Sequence, residues 1–361
     1  MSTHGPNSGI SVLIADDSAF MRAALTRMVE SEPGFYVCAT AQRGLEALEK
    51  IVSLKPDVVT LDVEMPGLNG LETLKRIVKE CPVPVIMVSS LTQLGAETTL
   101  DALNIGAFDY LPKQNSFLSV DISKIRQELI AKIYAAVESH KCRPMGRVTT
   151  TDVLPSLHSQ KYANFPVPAI IVLGTSTGGP KALQEILPLL PADLPVAILV
   201  VQHMPKGFTK PLAVRLNNLC RIKVCEAEQD AAIHPGTVYI APAGQHMTVQ
   251  RNGASTLTIQ LSTIPEKTTH IPSVDVTMLS VADAFQGLTM GIILTGMGTD
   301  GARGMKAIYQ AGGLTVGQNE ASCAVYGMPR ACAELGVLHR VVTLEQIPDQ
   351  ILQAIHYWKR A

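Results

Sequence analysis

The sequence lacks long apolar runs, blocks of like charge and a leader-like start, and each absence excludes a class of protein. No apolar run approaches the roughly 20 residues that a membrane-spanning helix needs, and the first ten residues have no apolar core typical of a signal peptide. The formal net charge is −1 and the 30 basic residues are dispersed, which disfavours a nucleic-acid-binding protein. We therefore expect a cytoplasmic protein that neither binds nucleic acid nor inserts into a membrane.

The cysteines are few and lack the spacing of a metal or redox motif. The seven cysteines include no Cys-x-x-Cys pair, so we expect reduced thiols and no zinc site. The 361 residues, 47% of them hydrophobic, suffice for two domains that each bury a core. The sequence between Glu138 and Pro166 is polar and unpatterned, which predicts a linker at 139–166 between domains at 10–138 and 167–361.

The first predicted domain alternates short apolar runs with helical patterns. This alternation is typical of a doubly wound, five-stranded parallel sheet. A helical pattern over residues 120–138 places one apolar face against that sheet. Its members are Ile122, Ile125, Leu129, Ile133 and Val137. The five strand-like runs are Val12–Ile14, Phe35–Val37, Val58–Leu61, Val85–Val88 and Phe108–Leu111.

Acidic side chains follow two of these strands. Asp16 and Asp17 come after the first strand and Asp62 after the third, so we expect them at one edge of the sheet. Adjacent carboxylates repel one another and favour a hard cation such as Mg²⁺. With Lys113 after the fifth strand, the group predicts an aspartyl phosphate at Asp62, its oxygens neutralised by the metal and the lysine. Taken singly, each acidic residue is also explained as a solvated cap.

Two further residues fit a switch at this phosphorylation site. Ser89 follows the fourth strand and Tyr110 lies in the fifth. A new phosphoryl oxygen would offer the Ser89 hydroxyl a hydrogen bond and thereby shift its loop. We therefore predict that Ser89 and Tyr110 respond to phosphorylation.

A serine lies in a glycine-rich turn at the start of the second predicted domain. Residues 167–173 form an apolar strand, and the turn Gly174-Thr-Ser176-Thr-Gly-Gly179 precedes a helical pattern that starts at Pro180. A turn of this kind exposes the serine oxygen and points backbone amides at the same space. The sequence therefore predicts either an activated nucleophile or a cradle for a phosphate group.

An activated serine needs a base and an orienting acid, and candidates for both follow other strands. The apolar run 194–201 leads to His203, and the run 291–295 leads to Asp300. The carboxyl ends of parallel strands share one edge, so Ser176, His203 and Asp300 are expected to converge there. Three alternatives stay open: a structural histidine beside a capping aspartate, a nucleotide-binding module, and an adaptor that only docks on partners.

Residues 236–262 alternate apolar and polar side chains. The pattern predicts antiparallel strands attached to a mostly parallel second sheet. The alternating runs are Val238–Ile240, His246–Val249 and Leu257–Leu261.

Two sets of motifs resemble one known family, the chemotaxis response-regulator protein-glutamate methylesterases. The resemblance extends from about Ile10 to the final helix. The receiver-like motifs are Leu13-Ile-Ala-Asp16-Asp17-Ser, Leu61-Asp62-Val-Glu64-Met65-Pro66, Met87-Val88-Ser89-Ser90 and Tyr110-Leu-Pro112-Lys113. The methylesterase-like motifs are Gly174–Gly179, Gln202-His203-Met204, Pro272-Ser273-Val274-Asp275 and Thr295–Gly301.

The resemblance implies an activity and a set of catalytic residues. Members of this family hydrolyse glutamate methyl esters, and deamidate certain glutamines, on the cytoplasmic domains of methyl-accepting chemoreceptors; the hydrolysis needs no cofactor. By motif, Ser176 is the nucleophile, His203 the general base and Asp300 its orienting carboxylate. The amides of Thr177 and Met297 correspond to the oxyanion donors.

The resemblance also implies a phosphorylated receiver. Asp62 receives phosphate from a chemotaxis histidine kinase. The Mg²⁺ that this reaction requires is held by Asp16, Asp17, Asp62 and the main-chain carbonyl of Glu64. Phosphorylation then raises activity by relieving obstruction of the catalytic cleft by the receiver.

Three departures from the family motifs lie outside the expected catalytic residues. Asn69 stands where aspartate is usual before glycine, and it should matter little because Asn-Gly forms an equally good turn. Gln114 stands where proline commonly follows the receiver lysine, which puts the conformation of that loop in question. Ile271 stands where arginine is expected before Pro-Ser-Val-Asp, which bears on receptor docking or an internal salt bridge.

Overall fold

The computed structural model describes residues 9–90, 92–113, 122–141, 166–252 and 256–355. The chain divides into two units, Met1–Met145 and Gly146–Ala361. Gln114 and most of the predicted linker lie outside the described residues. No helix in the described ranges has both the length and the hydropathy needed to cross a membrane.

The first unit is a five-stranded parallel sheet with helices between successive strands, as predicted. Its strands are β1 (Ile10–Ala15), β2 (Phe35–Ala41), β3 (Val58–Asp62), β4 (Val85–Ser90) and β5 (Asp109–Lys113). Its helices are α1 (Ala19–Glu30), α2 (Gly44–Leu54), α3 (Gly70–Glu80), α4 (Gln93–Ile105) and α5 (Ile122–Lys141). The strand order is β2-β1-β3-β4-β5, which places the ends of β1, β3 and β4 side by side.

Helix α5 covers this sheet with the face that the sequence predicted. Ile125, Leu129, Ile133 and Val137 are buried in a core cluster with Val12, Ile14 and other strand residues. The side chain of Ile122 lies outside the described residues. A helix that packs one face against a sheet needs apolar residues every three or four positions, and this spacing is the pattern from which α5 was predicted.

The second unit contains a seven-stranded parallel sheet. Its strands are β6 (Ile170–Thr175), β7 (Ala197–Gln202), β8 (Lys223–Glu226), β9 (Thr237–Ile240), β12 (Thr289–Ile293), β13 (Leu314–Gln318) and β14 (Arg340–Val342); a separate pair is formed by β10 (His246–Asn252) and β11 (Thr256–Ser262). Its helices are α6 (Gly179–Ile186), α7 (Thr209–Leu219), α8 (Val274–Phe285), α9 (Ala302–Gln310), α10 (Met328–Glu334) and α11 (Ile347–Ala354). The strand order is β14-β13-β12-β6-β7-β9-β8. The chain therefore first adds β7, β8 and β9 on one side of β6 and later adds β12, β13 and β14 on the other side. Ligands bind at such switch points in open α/β sheets.

The prediction for residues 236–262 was correct in part. The strands β10 and β11 form an antiparallel pair, but this pair is its own two-stranded sheet. The strand β9 is not antiparallel: it runs parallel to β7 and β8 inside the large sheet. Alternation of side chains identifies a strand but carries no information on the route of the connection that precedes it, and that route sets the direction of pairing.

Candidate active site

The backbone of Ser176 is held from three sides in the turn between β6 and α6. Its amide donates to the carbonyl of Thr295 at 3.1 Å, and its carbonyl accepts from the amide of Gly179 at 2.8 Å. Nε2 of Gln202 donates to the same carbonyl at 2.9 Å. Because Gln202 is buried at the end of β7, its side-chain amide fixes the turn relative to the neighbouring strand.

Two glycines permit this turn. Gly178 has φ of 79°, in the left-handed region that favours glycine. Gly296 follows β12, and a Cβ at this position would lie 2.8 Å from Cβ of Ser176. Glycine at 296 therefore lets the loop after β12 pass directly beside the serine.

His203 and Asp300 form a side-chain pair after β7 and β12. Nε2 of His203 lies 2.8 Å from Oδ2 of Asp300, and the two side chains are only 6% and 11% exposed. An ionised carboxylate only accepts hydrogen bonds, so Nε2 carries the proton. Nδ1 of His203 is buried and has no hydrogen-bond partner within the described ranges. This nitrogen is therefore available as a base.

Asp300 lies at the N-terminus of α8, which supplies three hydrogen-bond donors. Oδ1 accepts from Oγ of Ser273 at 2.8 Å and from the amide of Asp275 at 3.0 Å, while Oδ2 accepts from the amide of Val274 at 2.8 Å. Burial alone would raise the pKa of Asp300, but the hydrogen bond and charge of His203 and the two amides outweigh it and hold the pKa well below its usual range. Asp300 is thus ionised at neutral pH and can balance a positive charge on His203.

Ser176 and His203 follow adjacent positions on neighbouring strands. Thr175 of β6 is in register with Gln202 of β7, and the amide of His203 donates to the carbonyl of Thr175 at 3.1 Å. Both side chains therefore leave the same edge of the sheet. Among the described contacts His203 is bonded to Asp300, and no hydrogen bond joins Oγ of Ser176 to His203.

The amides of Thr177 and Met297 belong to the two loops that flank Ser176. Thr177 is the next residue in the turn, and its carbonyl accepts from Oγ1 of Thr295 at 3.0 Å. Met297 follows Gly296, which lies against the serine. The amide of Met297 donates no hydrogen bond to any residue in the described part of the chain, so it is available to an anion.

Three residues that support the pair have no role predicted from the sequence, namely Gln202, Ser273 and His270. The ring of His270 stacks on that of His203, with centroids 4.0 Å apart and planes inclined by 19°. Ser273 carries a usable signal, because a serine directly before a periodic apolar segment is typical of a helix N-cap. Gln202 and His270 carry no local signal, since their partners are distant in sequence.

The predicted metal ligands Asp16, Asp17 and Asp62 converge in the first unit. One carboxylate oxygen of each lies within 4.8 Å of those of the other two; Asp16 and Asp62 are buried and Asp17 is exposed. Nζ of Lys113 lies 2.7 Å from Oδ2 of Asp62 and 3.2 Å from Oδ2 of Asp16. Glu64 donates its amide to Oδ1 of Asp62 at 3.2 Å, so its backbone belongs to the same loop.

This cluster of carboxylates has the donor set and the charge that suit Mg²⁺. Oδ2 of Asp16 is buried, and within the described residues it has the nearby charge of Lys113 but no well-aligned hydrogen bond. Burial raises the pKa of Asp62 to about 6, since the lowering effect of Lys113 is outweighed by burial together with the charge of Asp16. A hard cation bound by these oxygens would relieve that crowding of negative charge.

The predicted switch residues Ser89 and Tyr110 are both buried. Oγ of Ser89 donates to the carbonyl of Gly95, in the first turn of α4, at 3.2 Å. The carbonyl of Tyr110 accepts from Nζ of Lys132 on α5. The Ser89 hydroxyl is thus bonded to α4.

Comparisons with known proteins match both units. The family described as CheB methylesterase matches residues 171–351, and the response regulator receiver domain matches residues 12–121. The chain is 43% identical to the protein-glutamate methylesterase/protein-glutamine glutaminase of Lawsonia intracellularis and 44% identical to that of Halalkalibacterium halodurans. Each alignment covers 96% of this chain. It covers 99% of the Lawsonia protein and 98% of the Halalkalibacterium protein.

A solved structure matches the second unit. The crystal structure of the Thermotoga maritima CheB methylesterase catalytic domain is 37% identical and superposes with a TM-score of 0.50. The superposition covers 52% of this chain and 98% of the Thermotoga domain. Together with the nearly full-length alignments, this match shows that the chain belongs to the CheB methylesterase family, with an N-terminal response regulator receiver domain.

Proposed function

We propose that this chain is a protein-glutamate methylesterase and protein-glutamine glutaminase that uses Ser176, His203 and Asp300. The observation that carries the proposal is the bonded pair of His203 and Asp300, in which Nδ1 of His203 is buried without a partner at the strand end that bears Ser176. An alcohol is a poor nucleophile unless an adjacent base removes its proton. A buried imidazole with one free nitrogen supplies that base.

The first half of the reaction forms an acyl-enzyme. Oγ of Ser176 turns toward His203, transfers its proton to Nδ1 and attacks the carbonyl carbon of the glutamyl methyl ester. Asp300 stabilises the imidazolium through Nε2. The amides of Thr177 and Met297 bind the oxyanion of the tetrahedral intermediate. Collapse of this intermediate breaks the ester C–O bond, and methanol leaves with the proton from Nδ1.

The second half of the reaction restores the enzyme. Nδ1 of His203 takes a proton from water, the hydroxide attacks the acyl carbon, and Ser176 leaves with that proton. The product is a free glutamate side chain. Deamidation follows the same steps with an amide as the substrate, so the leaving group is ammonia and the product is again glutamate.

The receiver unit regulates this hydrolysis through Asp62. A chemotaxis histidine kinase supplies the phosphoryl group, and a carboxylate oxygen of Asp62 accepts it. Lys113 neutralises negative charge on the phosphoryl oxygens. Asp16, Asp17, Asp62 and the carbonyl of Glu64 would hold Mg²⁺, which offsets negative charge during the transfer. The Ser89 hydroxyl then exchanges its bond to Gly95 for one to the phosphoryl group.

Two domains joined by a linker make up the proposed enzyme. The receiver spans residues 10–138 and the catalytic domain 167–361, joined by a linker at 139–166. The unphosphorylated receiver obstructs the cleft at Ser176, and phosphorylation relieves the obstruction. The enzyme acts in the cytoplasm on the cytoplasmic domains of methyl-accepting chemoreceptors.

An active-site-directed fluorophosphonate tests the nucleophile. We expect an adduct on Ser176 that is lost in Ser176→Ala and strongly reduced in His203→Ala. Ser280→Ala, which changes a serine of α8 bonded to Thr277, is the matched control and should label normally. Labelling of the Ser176→Ala variant at the parent rate would exclude the triad.

A further inference from the structure

His246 is a fully buried imidazole outside the proposed triad, and both of its nitrogens have partners. Nδ1 accepts from the amide of Ser273 at 3.1 Å, and Nε2 lies 3.1 Å from the carbonyl of Pro265. Oγ1 of Thr268 is 3.5 Å from Nε2. An amide only donates and a carbonyl only accepts, so the ring is neutral with its proton on Nε2.

The contact with Ser273 leads directly to the triad carboxylate. Ser273 is the N-cap of α8, and its hydroxyl together with the next two amides supplies the three donors to Asp300. Because Nδ1 of His246 holds the amide of Ser273, it sets the orientation of the residue from which those donors start. Three successive hydrogen bonds, through Ser273 and Asp300, therefore link His246 to Nε2 of His203.

The contact of His246 with Pro265 affects the segment that carries His270, the residue that stacks on His203. Pro265 and Ser273 bound the segment that carries His270, whose ring stacks on His203. Nε2 and Nδ1 of His246 hold the two ends of this segment. One buried ring thus contacts both the source of the Asp300 donors and the segment that covers the face of His203.

Contacts other than that of His246 also join α8 to β10. Oγ1 of Thr277 donates to the carbonyl of Met247 at 2.6 Å, and the amide of Val249 donates to Oγ of Ser280 at 3.2 Å. These two contacts fasten the body of α8 to β10 without the imidazole. His246 instead contacts the N-cap residue Ser273, through its backbone amide.

We propose that His246 is a positioning residue of the hydrolase, which orients Asp300 and thereby His203 by holding the N-cap of α8 and the His270 segment. Burial lowers the pKa of His246 against smaller opposing effects of Pro265 and Asp300, in agreement with a neutral acceptor. The inference rests on the proposed role of Ser176, His203 and Asp300.

Two substitutions separate the two nitrogens of the ring. The side-chain oxygen of Asn reaches the position of Nδ1, so His246→Asn keeps an acceptor for Ser273. The side-chain amide of Gln reaches the position of Nε2, so His246→Gln keeps the contact with Pro265 and loses the acceptor. We expect His246→Gln to lower kcat about 10-fold or more with KM nearly unchanged, and His246→Asn to retain most of kcat.

His339 offers a matched control in the same unit. Its Nδ1 also accepts from a backbone amide, that of Thr315 in β13, at 3.2 Å. His339→Gln removes this acceptor and His339→Asn retains one, in both cases away from the triad. Both should leave kcat at the parent value, because the bond of His339 to Thr315 and its stacking on Tyr309 involve neither Asp300 nor the donors of Asp300.

The experiment measures methanol release by the full-length chain from methylated receptor, together with the nitrogen-15 signals of its histidines. A parent chain that releases no methanol rejects the proposed function itself. An active parent with an equally active His246→Gln variant, or an Asn variant as impaired as the Gln variant, rejects the role of His246.

The spectroscopic arm needs neither substrate nor a folded variant. In the parent chain we expect His246 with Nδ1 unprotonated and Nε2 protonated. The opposite tautomer, or a doubly protonated ring at neutral pH, would overturn the inference. Where the variants fold, the Nε2 proton of His203 should shift in His246→Gln and stay near its parent position in His246→Asn; equal shifts would contradict the proposal.

Discussion

The hydroxyl of Ser273 donates a 2.8 Å hydrogen bond to Oδ1 of Asp300, although the two residues are 27 positions apart. The same carboxylate accepts from the first amides of α8 and from Nε2 of His203. A buried anion with this set of donors keeps a fixed orientation, which a carboxylate that steers a catalytic imidazole requires.

Removal of the Ser273 hydroxyl should impair turnover. We expect Ser273→Ala to lower kcat roughly 10-fold with little change in KM, because a hydrogen bond to a charged group is worth about 1.5–3 kcal/mol. Steady-state methanol release measures the effect. Ser280→Ala removes a hydroxyl from the same helix without touching Asp300 and should keep the parent kcat. Equal rates for Ser273→Ala and the parent would show that this bond does not orient the carboxylate.

The low pKa of Asp300 predicts a dependence of stability on pH. Because its folded-state pKa lies below the roughly 3.9 of an unfolded aspartate, the ionised carboxylate stabilises the second unit above about pH 4, and this stability is lost as pH falls through the folded-state value. We expect the difference in unfolding free energy between the parent and Asp300→Asn to shrink as the solution is acidified. Urea denaturation across this range measures it; a difference that grows in acid contradicts the sign.

The crowded carboxylates of the receiver predict a gain in stability when one is neutralised. Burial raises the pKa of Asp62 to about 6, so its ionised form at neutral pH costs up to about 3 kcal/mol relative to the unfolded chain. In a chelator-treated sample, Asp62→Asn should raise the Tm of the first unit. Mg²⁺ should raise the Tm of the parent and have less effect on the variant.

A second aspartate provides the control for that measurement. Asp57 accepts hydrogen bonds from the amide of Ser11 at 2.8 Å and from its hydroxyl at 2.6 Å, so Asp57→Asn should lower the Tm. A loss of stability in Asp62→Asn comparable to that in Asp57→Asn would exclude charge crowding at the proposed metal site.

Relief of obstruction by the receiver predicts an effect of truncation. A chain of residues 150–361 should hydrolyse methylated receptor faster than the unphosphorylated full-length chain, because it lacks the receiver that we propose obstructs the cleft. Rates are compared at equal concentrations of active sites, counted by fluorophosphonate labelling. Equal rates per active site would reject obstruction as the mechanism of control.

Local patterns were enough to predict most of the strands and the edge at which the site forms. Apolar runs such as Val85–Val88 predict the strands, and the rule that parallel strands end at one edge predicts that His203 and Asp300 lie close together. The direction of β9 was predicted wrongly, because pairing direction depends on the connection before it.

Local sequence patterns do not predict the residues that hold Asp300 and His203 in place. Ser273 shows its role as a helix cap, but nothing in residues 273–276 reveals that Asp300 is the anion seated on that cap. The same holds for His246, whose partners Pro265 and Ser273 are 19 and 27 positions away. Such contacts depend on how α8 and β10 pack, which a single sequence does not specify.

The most direct measurement is methanol release from methylated chemoreceptor by the full-length chain, with and without a small-molecule phosphodonor, for the parent and for Ser176→Ala. Loss of a triad nucleophile lowers kcat by on the order of 10⁴-fold or more. We predict release by the parent, faster release with the phosphodonor, and none above background from Ser176→Ala under either condition. Release by Ser176→Ala at a rate near that of the parent would contradict the account.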